Sequence, residues 1–372
     1  GQSNMALSVS ATQQKDELMN SADNDNIRFL YMPTYPYSGT GTGEMPIKPT
    51  KDIAGAYWGH GNNGVQVGSV SAVAYIAIKD LQGKLGIPVG FLYTPIGGSV
   101  IEAWIPRAEL EENTELVNTL TRRGLYYDED FWVDNSTTVT ALYNQKVGPL
   151  EGFNVAGVMW YQGESNRDNA DLYQSLMPAF VADLRAKWGR GELPFYFVQI
   201  APFNYEGADG TSAARLREVQ LQNMKDISNS GMVTTMDVGH PVFIHPVDKE
   251  TVGNRLAYWA LAQTYGMKGF GYAPPVYKSM EIQENKIYIN FDNAQRGLSP
   301  MWTSLKGFEI AGEDKVFYPA FAEIETTTAR LAVSSDKVPH PVAVRYAYKN
   351  YVEASIFSIH GIPAAPFRTD NW

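Results

Sequence analysis

The 372-residue sequence predicts an α/β fold with a parallel central sheet, followed by a smaller β-rich appendage. Three observations carry that expectation. Short apolar runs alternate with longer stretches whose apolar residues recur at helical spacing. Glycine and proline punctuate the passages from helix to strand. After about Tyr272 the rhythm changes to closely spaced, strand-length runs separated by turns. Buried-type strands alternating with amphipathic helices imply a parallel sheet covered on both faces. Ligand sites in such folds lie at the carboxyl ends of the strands, where loops lead into helices.

In chain order, Val73, Ala74, Ala77, Ile78, Leu81 and Leu85 share a helix face that stops at Gly86 and Pro88, and Val89 to Thr94 then reads as a strand. The cycle repeats with a strand from Val155 to Trp160, a helix through Leu172, Leu176, Ala179, Leu184 and Trp188, and a strand from Phe195 to Ile200. A third turn predicts a strand over Met232 to Asp237 and a helix through Val252, Leu256, Trp259 and Ala260 to about Tyr265. The appendage offers strands at Lys286 to Phe291, Phe308 to Ala311, Ala320 to Ile324, Leu331 to Ser334 and Val342 to Tyr348, with turns at Asp292-Asn293 and Gly312-Glu313-Asp314. Residues 1–272 are expected to form the catalytic unit and 273–372 the appendage, packed on it because no Pro/Ser-rich linker separates them.

Composition narrows the function. Forty acidic against thirty basic residues give a formal net charge of -10, and no basic cluster stands out, which argues against nucleic-acid or anionic-membrane partners. No segment approaches the roughly 18–20 consecutive apolar residues of a membrane span. The absence of cysteine excludes disulfides, thiolate metal sites and a cysteine nucleophile, and leaves the compartment open.

Four polar segments stand where such a fold keeps its chemistry. Gly1-Gln2-Ser3-Asn4-Met5 places a serine beside a glycine that permits a tight turn, the setting of a nucleophile or of an ordinary helix cap. Thr94-Pro95-Ile96-Gly97-Gly98-Ser99 follows a strand, and its paired glycines let a backbone N–H approach a ligand oxygen. Trp160-Tyr161-Gln162-Gly163-Glu164-Ser165-Asn166 supplies an amide donor at Gln162 and a carboxylate at Glu164 suited to orienting an imidazole or holding a loop. His245 precedes the last helix; of the five histidines, His60, His240, His340 and His360 lack that loop-to-helix context. A neutral imidazole there can take a serine proton and pass it to a leaving alkoxide.

Together with Ile101-Glu102-Ala103-Trp104 and Ile244-His245-Pro246, these segments resemble the sialate O-acetylesterase family of the SGNH hydrolases. The resemblance continues through Arg217-Glu218-Val219-Gln220, Gly253-Asn254-Arg255-Leu256 and Val344-Arg345-Tyr346 to the closing Pro366-Phe367-Arg368-Thr369-Asp370. It implies a flavodoxin-like three-layer fold, acylation of Ser3, activation by His245, and an oxyanion held by the N–H groups of Ser3 and Gly98 and the side chain of Gln162. It implies no metal or organic cofactor, an acetylated carbohydrate substrate, a secreted or periplasmic setting, and a first sheet strand lying ahead of Gly1. One departure stands out: the aspartate that the wider superfamily often carries two or three residues before the histidine is replaced by Phe243 and Val242. The orienting role then falls to Glu164, to Asp237, or to a backbone carbonyl that leaves Ser3 and His245 a dyad.

The leading expectation is a serine esterase that removes O-acetyl groups from acetylated plant polysaccharide or O-acetyl sialic acid. The lack of an evident arginine cluster favours neutral glycans. Trp104, Tyr161 and Trp302 are candidate sugar-stacking rings that serve equally well as core or interface packing. The rival is a glycan-binding protein that has kept the fold without the chemistry; a lipase or thioesterase lacks an obvious apolar lid.

Overall fold

Two three-stranded sheets form the α/β part of the chain, of which the computed structural model describes residues 1–33, 51, 55–124, 126, 137–325 and 330–372. In the first, β1 (Ile27–Tyr31) lies between β2 (Tyr57–His60), antiparallel to it, and β3 (Val89–Tyr93), parallel to it. In the second, β4 (Val158–Tyr161), β5 (Phe195–Val198) and β6 (Ser230–Val233) run parallel with β5 central. The alternation of side chains along β5 shows why helices cover both faces. Phe195 and Phe197 enter a core shared with the helices Ala170–Trp188 and Ser212–Asp226, whereas Tyr196 and Val198 enter one shared with Ala72–Leu85 and Glu250–Trp259. Each of these buried side chains contributes about 1.5–3 kcal/mol.

The helix ends follow from local chemistry. Ser71 caps Ala72–Leu85 by accepting from Ala74 N, and Gly86, at φ 67°, closes it with a bond to Gln82 O. Between β3 and β4, each of which pairs on one edge only among the described residues, lies a cleft of about 560 Å³ lined by Val89, Phe91, Tyr93, Val158, Trp160 and, at its end, Gly1.

The C-terminal region is antiparallel. One sheet is built from Val276–Gln283, Lys286–Asp292, Phe321–Glu325 and Arg330–Ser334, and another from Phe308–Ala311, Phe317–Pro319, Ala343–Tyr346 and Phe367–Arg368. Ile287, Leu331, Ile310 and Val344 fill their common core, which also takes in Met236 from the α/β part. Polar contacts join the two parts: Tyr348 Oη and Arg368 Nε both reach Glu218, and Asn350 Oδ1 accepts from Ala213 N at 2.9 Å.

Three expectations about element limits change. The strand expected from Val155 begins at Val158, where pairing with Phe195 starts. The strand expected to reach Asp237 ends at Val233, because Thr234 turns away to donate from Oγ1 to Pro363 O at 2.8 Å. Strands β1 and β2 and the helix Ser212–Asp226 add to those expected.

Candidate active site

Gly1 and Gln2 bridge the ends of β3 and β4. Gln2 N donates to Tyr161 O at 2.9 Å, and Gly1 O accepts from Ile96 N at 3.0 Å. A Cβ at position 1 would lie 2.5 Å from Tyr161 O, so the turn requires glycine. Ser3 then opens the single helical turn Ser3–Ala6, whose first N–H groups have no intrahelical acceptor. The Ser3 N–H finds no protein acceptor among the described residues. The loop after β3 packs beside it: a Cβ on Gly97 would stand 3.7 Å from Ser3 Cβ. The neighbouring Gly98 is exposed at φ 72°, and its N–H is likewise without an acceptor among the described residues. Two unsatisfied N–H groups thus flank a half-buried serine, as binding a tetrahedral oxyanion demands.

Beneath the serine the loops after β3 and β4 are interlocked. Gln2 Oε1 accepts from Gly163 N at 3.0 Å and Ser165 N at 3.3 Å. Asn166 Oδ1 accepts from Ile101 N at 3.0 Å and Gln162 Nε2 at 2.7 Å, while its Nδ2 donates to Glu102 Oε2 at 2.8 Å. Gln162 also donates to Ser99 O at 3.0 Å, so both of its amide hydrogens are engaged and the side chain is wholly buried. Gln162 therefore buttresses the Ser99 loop in this structure, and can meet an oxyanion only by releasing one of these bonds. Burial raises the Glu102 pKa, opposed by the Asn166 bond.

On the other side, Asn4 ties the nucleophile turn to the histidine loop. Its Nδ2 donates to Glu164 Oε1 at 2.6 Å and to Ile244 O at 3.0 Å, and its Oδ1 accepts from Lys249 Nζ at 2.7 Å. Ser3 and His245 are the chain neighbours of the two residues joined by the Asn4–Ile244 bond. His245 is exposed, and partial desolvation of its ring, followed by the nearby Lys249 ammonium, lowers its pKa. A lowered pKa keeps the imidazole neutral at mildly acidic pH, the form a general base needs. Burial raises the Glu164 pKa against its own backbone bond, the Asn4 bond and the Lys249 charge, and pushes Lys249 down to about 8.

The five expected site residues thus gather at the ends of β3 and β4 and in the loop leading to the last helix, but in different roles. Glu164 bonds Asn4, and no hydrogen bond joins it to His245 among the described residues. Asp237 is held by both terminal nitrogens of Arg255, at 2.7 and 2.5 Å, which removes it as a free orienter. Of the candidate stacking rings, Trp104 and Tyr161 are buried core residues; Trp302 alone is fully exposed, on a backbone where it and Met301 take φ of 69° and 48°. Sequence reasoning assigned no role to Asn4, Lys249 or Asn166. Lys249 did carry a signal: it stands at the N-cap of the helix that follows the His245 loop.

The comparisons bear on the family. A family model described as SASA, a carbohydrate esterase, sialic acid-specific acetylesterase, matches residues 1–261. Sialate O-acetylesterases from Mus musculus and Homo sapiens are each 27% identical to this chain, over 414 and 402 residues, covering 99% of it and 75% and 73% of themselves. The crystal structure of a carbohydrate acetylesterase from Xanthomonas citri superposes with a TM-score of 0.86 at 32% identity, covering 100% of this chain and 79% of that one. The chain is a carbohydrate esterase, and it belongs to the sialic acid-specific acetylesterase family.

Proposed function

We propose that this esterase removes O-acetyl groups from carbohydrates through an acetyl-Ser3 intermediate. The carrying observation is the Asn4–Ile244 bond, which draws the His245 loop onto the turn that presents Ser3 beside two free N–H groups. Ser3 Oγ attacks the acetyl carbonyl while His245 takes its proton; the N–H groups of Ser3 and Gly98 hold the oxyanion, with Gln162 assisting if it exchanges its bond to Ser99 O. His245 returns the proton to the departing sugar oxygen. It then deprotonates a water that attacks the acetyl-serine, so acetate leaves and the hydroxyl is restored. Ser3 and His245 act as a dyad, with Glu164 reaching the histidine loop only through Asn4.

For the substrate we favour neutral acetylated glycans, such as plant polysaccharide or its oligosaccharides, over O-acetyl sialic acid. Arg255 is committed to Asp237 at 2.5 Å, which takes it away from a substrate carboxylate. A secreted or periplasmic setting suits polymeric glycans. Acetate release from a chromogenic acetyl ester and a panel of acetylated glycans tests the reading. Ser3→Ala and His245→Ala are each expected to lower kcat by about 10³-fold or more, and the acid limb of kcat/KM to lie below the ordinary histidine value of about 6.5. Full activity in Ser3→Ala would end the acyl-enzyme proposal.

The flavodoxin-like three-layer arrangement is part of the same proposal. The cleft between β3 and β4 leaves one edge of each strand unpaired among the described residues, and the backbone at Gly1–Gln2 bonds to the ends of both. Support for the three-layer arrangement comes from β5, whose alternate residues pack against helices on opposite faces.

A further inference from the structure

The motif residues around Ser3 and His245 leave one buried cation without a chemical role. Lys249 is 1% exposed, yet no carboxylate lies within salt-bridge distance of it among the described residues. Its ammonium donates to Asn4 Oδ1 at 2.7 Å and lies 5.6 Å from the centroid of the buried Tyr161 ring. Asn4 in turn holds Glu164 Oε1 at 2.6 Å, so the amide stands between a buried cation and a buried carboxyl group. Three chain segments meet there: the turn after Gly1, the loop after β4, and the start of the helix Glu250–Trp259.

We propose that Lys249 is a positioning residue for the esterase reaction: with Asn4 and Glu164 it forms a buried clasp that fixes the Ser3 turn against the His245 loop and keeps a positive charge near the imidazole. The proposal rests on the reading of Ser3 and His245 as nucleophile and base.

The geometry explains why the side chain at 249 should be a lysine. Asn4 presents its oxygen to Lys249 because both hydrogens of its amide are committed to Glu164 and Ile244 O. Only a donor can complete it, and only a long side chain reaches it from the base of the helix. An ion withdrawn from water is poorly screened, so its charge acts on neighbours more strongly than a surface lysine would. The groups that face Lys249 are Glu164 from the loop after β4, Asp248 and His245 from its own loop, and the Tyr161 ring from β4; Tyr205 lies beyond Glu164. Asp248 is occupied in capping the helix, accepting from Thr251 N and Oγ1. The two groups on which the Lys249 charge acts, Glu164 and His245, are the two that the catalytic reading already names.

A histidine NMR titration of the intact chain tests this without requiring turnover. The signal of His245 is assigned among the five histidines by its loss in His245→Gln. In the unmodified protein it is expected to titrate below the ordinary histidine range, with a second, smaller inflection near pH 8 as Lys249 releases its proton. Lys249→Gln keeps a donor for Asn4 but removes the charge. It should move the His245 titration to higher pH, abolish the second inflection, and carry the acid limb of kcat/KM upward with it. In that variant kcat should fall roughly 10- to 100-fold with little change in KM, the signature of a misplaced base. Lys249→Arg keeps the charge and should leave the His245 titration near that of the unmodified protein. An unchanged His245 titration in folded Lys249→Gln overturns the proposal. Should that variant not fold, Lys249→Met is titrated in its place, and an unchanged His245 titration there overturns the proposal equally. Because the titration reads no activity, an active Ser3→Ala would refute the acyl-enzyme reading while leaving the clasp to stand or fall separately.

Discussion

On one side of Ser3 the loops after β3 and β4 are buried and cross-bonded through Gln2, Gln162, Asn166 and Glu102. On the other, the loop carrying the base is open to solvent: Val242 and Phe243 are 66% and 64% exposed, and His245 is exposed as well. The first side resembles a protein core with polar groups satisfied internally. Among the described residues, the hydrogen bonds that join the second to the nucleophile turn run through Asn4, to Ile244 O and from Lys249. The difference shows where each function is placed. Groups that hold the oxyanion act by being fixed beforehand, whereas the base must meet solvent, a sugar leaving group and a water in turn.

The largest effect that breaks this comparison is expected at the joint between the two sides. Asn4→Leu removes three hydrogen bonds and leaves Lys249 and Glu164 buried without them. It should lower stability by about 3 kcal/mol and kcat/KM by about 100-fold, measured by denaturant unfolding and acetate release. An Asn4→Leu protein with normal activity would mean that the base loop is placed by something other than this amide. A smaller effect is expected on the locked side. Asn166→Ala frees Ile101 N, Gln162 Nε2 and a Glu102 oxygen, and should cost about 2 kcal/mol of stability. Its effect on kcat should be smaller than that of Asn4→Leu, because Ser3 and His245 keep their joint. A larger loss of kcat than in Asn4→Leu would reverse the assignment of the two sides.

How much of this was legible in the sequence follows from where the polar residues lie. The β3, β4 and β5 region and its helices were readable because their buried faces are mostly apolar, Asp183 being an exception in the helix Ala170–Trp188. The helix Ser212–Asp226 was hidden because its buried face carries Arg217, Gln220 and Asn223. Gln220 donates to Gln162 O at 3.1 Å and accepts from Ile200 N at 3.0 Å, so polarity there serves the core and disguises the period. Strand β2 gave little signal because it is only four residues long and ends in Gly59-His60, too short for an alternating pattern. At the site, Ser3, Gly98, Gln162, Glu164 and His245 could be named from their motifs. What Gln162 and Glu164 bond to could not, since Ser99 O, Asn166 and Asn4 reach them only through the folded chain. The same limit hid the Arg255 pair that engages Asp237.

The central claim is that Ser3 is the nucleophile, and covalent trapping tests it most directly. The protein would be treated with a fluorophosphonate and the modified residue located by peptide mass mapping. The account predicts a single adduct on the peptide containing Ser3, formed in step with loss of acetyl-ester hydrolysis, slowed in His245→Ala and absent in Ser3→Ala. Inactivation with the adduct on another residue, or full activity retained with Ser3 modified, would contradict it.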